Sequence, residues 1–458
     1  MRKLEQFIQE KMTATHLPSV SGAAMVDGKI VWSRGFGFRD IDQGLAATDR
    51  TLYCIASMTK SFTCLAIMQL AEQGKLSIDD PIGQHIPFDL QAKGEPVRIW
   101  HLMTHSAGIP ALAYAENVIR GMTEGMESWL PIATYADMVT FMGDAESWAT
   151  HKPGERWYYL NEGYQLLGYA IEQISGLSYQ DYVTQNILAP LGMNRSFFAK
   201  ADVDADPDAA TPYVVTDSGE RIPSVYPYGS LSADGGLISN VQDLSRYLAM
   251  HMNGGELDGV RVLSAQGIAA MHTGRILRPE VGSPFGDATY AYGFSDTPDF
   301  LGRRLISHGG DVGTATGYLG FIPEKKMGIM ILSNGSGYGP SNLGIYGLAE
   351  LLGQDPDTLP HVVRDRRLTE LTGTYESYRG STRWEIRRNG DLLVATSRTK
   401  HTANASTIIP QELGEQQRTF AQIQDGITLP ITFTVTPGDP APQVDLMWGR
   451  YRLKRVGV

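Results

Sequence analysis

The sequence predicts an α+β fold: a mostly antiparallel sheet flanked by helices, with an inserted helical lobe, followed by a small C-terminal all-β barrel or sandwich. Three observations predict it. Strand-like segments occur at 20–36 and again at 303–332, with mostly helix and loop between, so the two ends of the region build one sheet. The composition shifts near 353–366 to the polar run Gln354-Asp355-Pro356-Asp357 and the charged run Arg364-Asp365-Arg366-Arg367, which reads as a linker. Beyond it, about seven short strands in roughly 90 residues are punctuated by turn signals such as Asn389-Gly390. The expected domains are 1–355, a linker at 356–367 and a barrel at 368–458.

Each element follows from its local chemistry. Residues 20–26 and 29–36 flank Asp27-Gly28, a two-residue hairpin turn. After the strand-like 51–55, the apolar residues Phe62, Leu65, Ile67, Met68, Leu70 and Ala71 recur at mostly helical spacing, predicting a helix from Ser57 to about Gly74. Residues 75–81 form a loop. Helices and loops fill 100–220, broken at Pro153-Gly154 and Pro190-Leu191-Gly192. Gly235-Gly236-Leu237 opens into a helix over roughly 240–252 that ends at Asn253-Gly254-Gly255. Strands follow at 303–307, 316–322 and 327–332, and a helix over roughly 341–352 closes the domain.

Composition excludes several functions. The 458 residues are 42% hydrophobic and 19% charged, ordinary for a globular protein with a sizeable core. A net charge of -11 argues against nucleic acid as the main partner. The two cysteines, Cys54 and Cys64, lie in buried-looking segments and read as free core thiols rather than a disulfide framework. No metal-ligand cluster is legible, so neither metal nor cofactor is expected. No run of about 18 apolar residues exists, and the N-terminal decapeptide lacks the apolar core of a signal peptide, which predicts no membrane partner and a cytoplasmic location.

The chemistry is concentrated at Ser57-Met58-Thr59-Lys60. Three residues along a helix is just under one turn, so Ser57 and Lys60 share a face. An amine beside a hydroxyl at a helix start is an activated-nucleophile arrangement, because the helix N-terminus favours the developing alkoxide. A second Ser-x-x-Lys, Ser397 to Lys400, follows a strand and offers no shared helical face. A serine nucleophile also needs a base, an oxyanion binder and a substrate guide. Tyr159-Leu160-Asn161 and His308-Gly309-Gly310 supply candidates; His272-Thr273-Gly274 repeats the latter pattern but ends a helix.

Together with Gly74-Lys75-Leu76-Ser77-Ile78-Asp79-Asp80-Pro81, the run from His101 to Pro110 and Gly235-Gly236-Leu237-Ile238-Ser239, these motifs make residues 5–350 resemble the serine β-lactamase-like family. That family includes class C β-lactamases, D-alanyl-D-alanine carboxypeptidases, related esterases and D-amino-acid peptidases. The resemblance implies acylation of Ser57, with Lys60 as its partner and Tyr159 as the catalytic tyrosine. It implies a substrate-amide contact at Asn161 and, on the strand edging the cleft, a catalytic His308 with Gly309 and Gly310 binding substrate. The oxyanion hole is expected from the amides of Ser57 and Asp311. Either Lys60 or Tyr159 can be the base; we assign acylation to Lys60 and leaving-group protonation and deacylation to Tyr159. His101 and His105 lie in a family-typical loop and read as structural.

One position departs from the family pattern. β-Lactamases and most carboxypeptidases place lysine where this chain has His308, and histidine, with an ordinary pKa of about 6.5, is often neutral at pH 7. This weakens the β-lactamase reading and favours the esterase and aminopeptidase branches. The expected function is a peptidase or amidase on short peptides containing D-amino acids. A carboxylesterase, a β-lactamase and a slowly acylated penicillin-binding or interaction protein are the alternatives. The C-terminal strands resemble the lipocalin-like barrels of some relatives, which cap a cleft or mediate assembly, so a homo-oligomer is left open.

Overall fold

The hairpin at the head of the chain forms as its turn chemistry requires. Strands Ser19–Val26 and Lys29–Asp40 pair in antiparallel register around Asp27 and Gly28, both in the left-handed region that this turn demands. The computed structural model describes residues 1–125, 130–279, 283–439 and 441–457, in two compact units, Met1–Gln354 and Asp355–Val458.

In the first unit the hairpin joins strands from the far end of the sequence. Ser19–Val26 pairs with Met327–Ser333, which pairs with Thr316–Ile322, which pairs in turn with Arg303–Asp311, all antiparallel. Three strands without strong periodicity, Ile276–Leu277, Thr289–Tyr290 and Ser295–Phe300, and Leu45–Ala46 beside Lys29–Asp40 at the other edge, extend the sheet to nine. Met327–Ser333 and Thr316–Ile322 are continuous apolar runs because both of their faces are covered. Helices Arg2–Thr15 and Pro340–Leu351 pack together, with Phe7 stacked on Tyr346 at 4.0 Å. Helix Val241–Met252 packs against Ser19–Val26 and Met327–Ser333. The helical lobe lies between the two groups of strands, as expected, and its helices Thr59–Glu72 and Asn161–Ser175 pack on one another in the main core.

Arg303–Asp311 is longer than the predicted strand 303–307: His308, Gly309 and Gly310 lie within it rather than beyond its end. Its pairing with Ser295–Phe300 stops at Ser295 opposite Ser307, whereas its pairing with Thr316–Ile322 continues to Asp311. The stretch 308–311 therefore leaves one strand edge without a sheet partner among the described residues.

The second unit is a closed antiparallel barrel of eight strands, from Gly373–Glu376 to Tyr451–Gly457. The predicted strand over 446–453 is two strands, Gln443–Trp448 and Tyr451–Gly457, turned at Gly449, whose φ of 57° suits glycine. The interior is filled by Tyr375, Ile386, Phe420, Phe433, Leu446 and Trp448, with Phe420 and Phe433 edge to face at 5.2 Å. Most of the predicted linker is structured: a single 3₁₀ turn, Pro356–Thr358, leads into helix Pro360–Thr369, each started by a proline at its first position. Ser397 lies on the barrel strand Leu392–Arg398.

Candidate active site

The nucleophile turn is held in place before any substrate is considered. Tyr53–Cys54 pairs with Ile238–Ser239, and the Ile55 amide donates to the Leu237 carbonyl at 2.9 Å. Ser57 then sits in the 3₁₀ turn Ala56–Met58, directly ahead of helix Thr59–Glu72. Ala56 is buried with φ of 49°, a left-handed conformation that costs a non-glycine residue about 1–2 kcal/mol and persists only where its surroundings over-determine it. Gly310 is part of those surroundings. A Cβ there would overlap the Ile55 carbonyl oxygen and lie 2.9 Å from Ala56 Cβ and 3.1 Å from the Ser57 amide nitrogen, so only glycine lets the strand approach this turn.

Lys60 is fully buried and points at the nucleophile. Its Nζ donates to Ser57 Oγ at 3.1 Å and to the Asp234 carbonyl oxygen at 2.7 Å, and lies 4.9 Å from the centre of the Tyr159 ring. Tyr159 stands just before helix Asn161–Ser175 and is braced from behind by His105. The His105 ring lies 4.1 Å from that of Tyr159, its Nδ1 accepts from the Leu160 amide at 3.0 Å, and its carbonyl accepts from the Tyr158 amide at 2.7 Å. Burial pushes the His105 pKa well below the ordinary histidine range.

His308 is also buried and neutral. Burial, aided by the nearby Lys60 charge, lowers its pKa to about 3. Its tautomer follows from its neighbours. A carbonyl oxygen only accepts, so Nδ1 donates to the Gly309 oxygen at 2.5 Å, and Nε2 accepts from the Tyr290 hydroxyl at 2.8 Å. Both ring nitrogens are thereby engaged, and the ring supplies neither a charge nor a free lone pair.

Two lobes of one cleft meet at Ser57, Tyr159 and Asp311. The smaller, about 220 Å³, has Tyr114, Ile119, Met122 and Leu231 among its walls and also exposes Asn161, Glu116 and Asp234. The larger, about 690 Å³, is lined by His308, Gly309, Gly310, Arg278 and Tyr290 among others. The structure therefore brings together Ser57, Lys60, Tyr159, Asn161, His308, Gly309, Gly310 and Asp311. Sequence reasoning missed Glu116, Asp234, Arg278 and Tyr290. Asp234 had a signal, since it immediately precedes the Gly235-Gly236 stretch; Arg278 and Tyr290 sit on two-residue or irregular segments without periodicity. Asp234 accepts from Gln165 Nε2 at 2.6 Å, and burial raises its carboxyl pKa against the lowering pull of Lys60. Among the described residues no His, Cys, Asp or Glu group is arranged to hold a metal, and no helix is long and apolar enough to cross a membrane.

Comparison with known proteins agrees with this fold. Residues 4–353 match the family model described as Beta-lactamase, and residues 356–454 match the Pab87 octamerisation domain. The octameric penicillin-binding protein homologue from Pyrococcus abyssi is 42% identical, with a TM-score of 0.93 over 99% of each chain. Protein flp of Staphylococcus aureus is 27% identical over 345 residues; the match covers 73% of this chain and only 63% of that protein. An uncharacterized protein of Mycobacterium tuberculosis is 32% identical over 303 residues, 58% of this chain and 73% of its own. The chain thus belongs to the β-lactamase and penicillin-binding-protein family, with a Pab87 octamerisation domain at its C-terminal end.

Proposed function

We propose that the protein is a serine hydrolase that works through an acyl-enzyme on Ser57 and cleaves short peptides or amides containing D-residues. The observation that carries this reading is the Lys60 amine 3.1 Å from Ser57 Oγ at the junction of the cleft. Ser57 Oγ attacks the scissile carbonyl carbon and passes its proton to Lys60, once that amine is neutral, or to Tyr159 as phenolate while Lys60 stays charged. The amides of Ser57 and Asp311 receive the oxyanion, a contribution of roughly 100- to 1000-fold for one such donor. The C–N bond breaks, Tyr159 protonates the leaving amine, and water then hydrolyses the ester, its proton passing to Tyr159 while Ser57 Oγ regains a proton from the group that served as base. His308 takes no proton in this scheme, because both its nitrogens are engaged; it buttresses the strand edge. We therefore read it as a positioning residue rather than a catalytic one. The preference for D-residues draws support from the likeness to penicillin-binding proteins, whose family includes D-alanyl-D-alanine carboxypeptidases.

Small carboxylic esters are the second reading, favoured by the neutral His308 at the position where β-lactamases carry lysine. Comparing D-alanine p-nitroanilide with p-nitrophenyl butyrate tests both. Ser57→Ala is expected to abolish turnover of each while the variant stays folded; undiminished hydrolysis by folded Ser57→Ala overturns the assignment. Anilide turnover supports the peptidase reading, and ester turnover alone supports the esterase.

The match over 356–454 supports assembly into a homo-oligomer, up to the octamer named for the Pyrococcus relative. Light scattering is expected to give a multiple of the chain mass, and a monomer at micromolar concentration would refute it.

A further inference from the structure

Lys60 can take the Ser57 proton only if its neutral amine presents a lone pair to Ser57 Oγ. Such an amine has two N–H bonds and one lone pair, and it rotates about its last carbon–nitrogen bond. The Asp234 carbonyl oxygen, 2.7 Å from Nζ, can only accept, so it takes one N–H in either charge state. That bond restricts the rotation and lets the lone pair face Ser57 Oγ, 3.1 Å away. The aim of the base therefore depends on where the Asp234 carbonyl sits.

The backbone around that carbonyl holds it weakly. Asp234 lies between Ala233 and the pair Gly235-Gly236, none of which has a long side chain to anchor the turn. Thr63 Oγ1 donates to the Ala233 carbonyl at 2.6 Å, and the Gly236 amide donates to the Ser232 carbonyl at 3.0 Å. The Asp234–Gly235 peptide itself has only a long bond of this kind, from the Gly235 amide to the Ser232 carbonyl at 3.4 Å.

The Asp234 side chain supplies a stronger hold. Its Oδ1 accepts from Gln165 Nε2 at 2.6 Å, and among the described residues no other side chain hydrogen-bonds this carboxylate. Gln165 is fully buried on helix Asn161–Ser175, one turn beyond Asn161. Its Oε1 is buried without a hydrogen-bond partner. A half-satisfied buried amide is costly, and leucine, of similar size, would fill the position without that cost. What glutamine adds there is its donor, and the donor goes to Asp234.

We propose that Gln165 is a positioning residue for the reaction: through Asp234 it fixes the carbonyl that aims the Lys60 amine at Ser57. This rests on acylation of Ser57 with Lys60 as base, and adds to it the group that orients the base. The same bond ties the helix that follows Tyr159 to the turn that holds Lys60.

The test uses the full-length protein and p-nitrophenyl butyrate, whose leaving group needs no proton, so that acylation reads removal of the Ser57 proton. Stopped-flow mixing separates the acylation rate from the substrate dissociation constant. Gln165→Leu is expected to slow acylation by about 10- to 100-fold, the scale of a misplaced catalytic group, with the dissociation constant within about twofold of wild type. Asp234→Asn keeps an oxygen that accepts from Gln165, and is expected to acylate at least about fivefold faster than Asp234→Ala, which keeps none. The double variant Gln165→Leu/Asp234→Ala should be no slower than the slower single variant, because both changes break one bond.

A wild-type acylation rate in Gln165→Leu overturns the proposal, and so does a loss that falls on substrate binding alone. Equal rates in Asp234→Asn and Asp234→Ala, or full additivity in the double variant, overturn it as well. If circular dichroism shows Gln165→Leu unfolded, the comparison of the two Asp234 variants decides. Absence of Ser57-dependent ester turnover in the wild type would instead sink the acyl-enzyme reading, and this proposal with it.

Discussion

At the scale of single residues, the site depends on close approach more than on charge. Ala56 keeps its left-handed φ of 49° because the strand carrying Gly310 presses on the turn from one side and the Leu237 carbonyl fixes Ile55 from the other. Gly310→Ala must push the strand and the turn apart. We expect kcat/KM to fall by at least about 100-fold, the worth of a displaced oxyanion donor, with an overpacking cost of about 1–3 kcal/mol. Hydrolysis rates and denaturant melts check both; wild-type activity in Gly310→Ala would show that the contact is dispensable. Much of this constellation was legible, because Ser57, Lys60, Tyr159 and the His308 motif lie in short, ordered patterns. The role of His308 was not. Its neutrality, which the residue type already suggested, comes from burial and the nearby Lys60 charge, but its Nε2 is engaged by the Tyr290 hydroxyl, 18 positions away in sequence on a two-residue strand that no periodicity announces.

At the scale of elements, local chemistry gave the hairpin, the nucleophile helix and the closing helix nearly to the residue. It failed where stability comes from tertiary contacts. Helix Pro360–Thr369 is mostly polar, with Leu368 its one fully buried residue, so its pattern reads as linker. Helix Val241–Met252 shows the opposite case, with its start written in sequence: the Asn240 side chain accepts from the amides of Gln242 and Asp243, both at 3.0 Å. Asn240→Ala is expected to cost about 1 kcal/mol, the usual value of such a cap, seen as a lower denaturation midpoint with unchanged slope. No loss of stability would mean that packing on the sheet alone holds the helix.

At the scale of the whole molecule, buried histidines set the response to acid. Burial lowers the pKa of His101 to about 4 and those of His272 and His308 to about 3, and depresses His105 and His251 well below the ordinary value. Below about pH 6.5 the unfolded chain binds protons that these folded groups refuse, so stability falls as pH drops through that value toward the folded pKa values. Asp234, Asp243 and Glu162, with raised pKa values, act in the opposite sense but are fewer. Thermal unfolding is therefore expected at a clearly lower temperature at pH 4.5 than at pH 7, and a flat profile would contradict it. The closed, filled barrel has a different consequence, one of kinetics. In the nine-stranded sheet the short outer strands Leu45–Ala46 and Ile276–Leu277 offer places for fraying to begin. The barrel has a neighbour on both sides of every strand and aromatic rings through its middle, so it has no strand from which to peel. Its amide protons must then exchange with solvent mainly by opening of the whole barrel, and all eight strands share one clock.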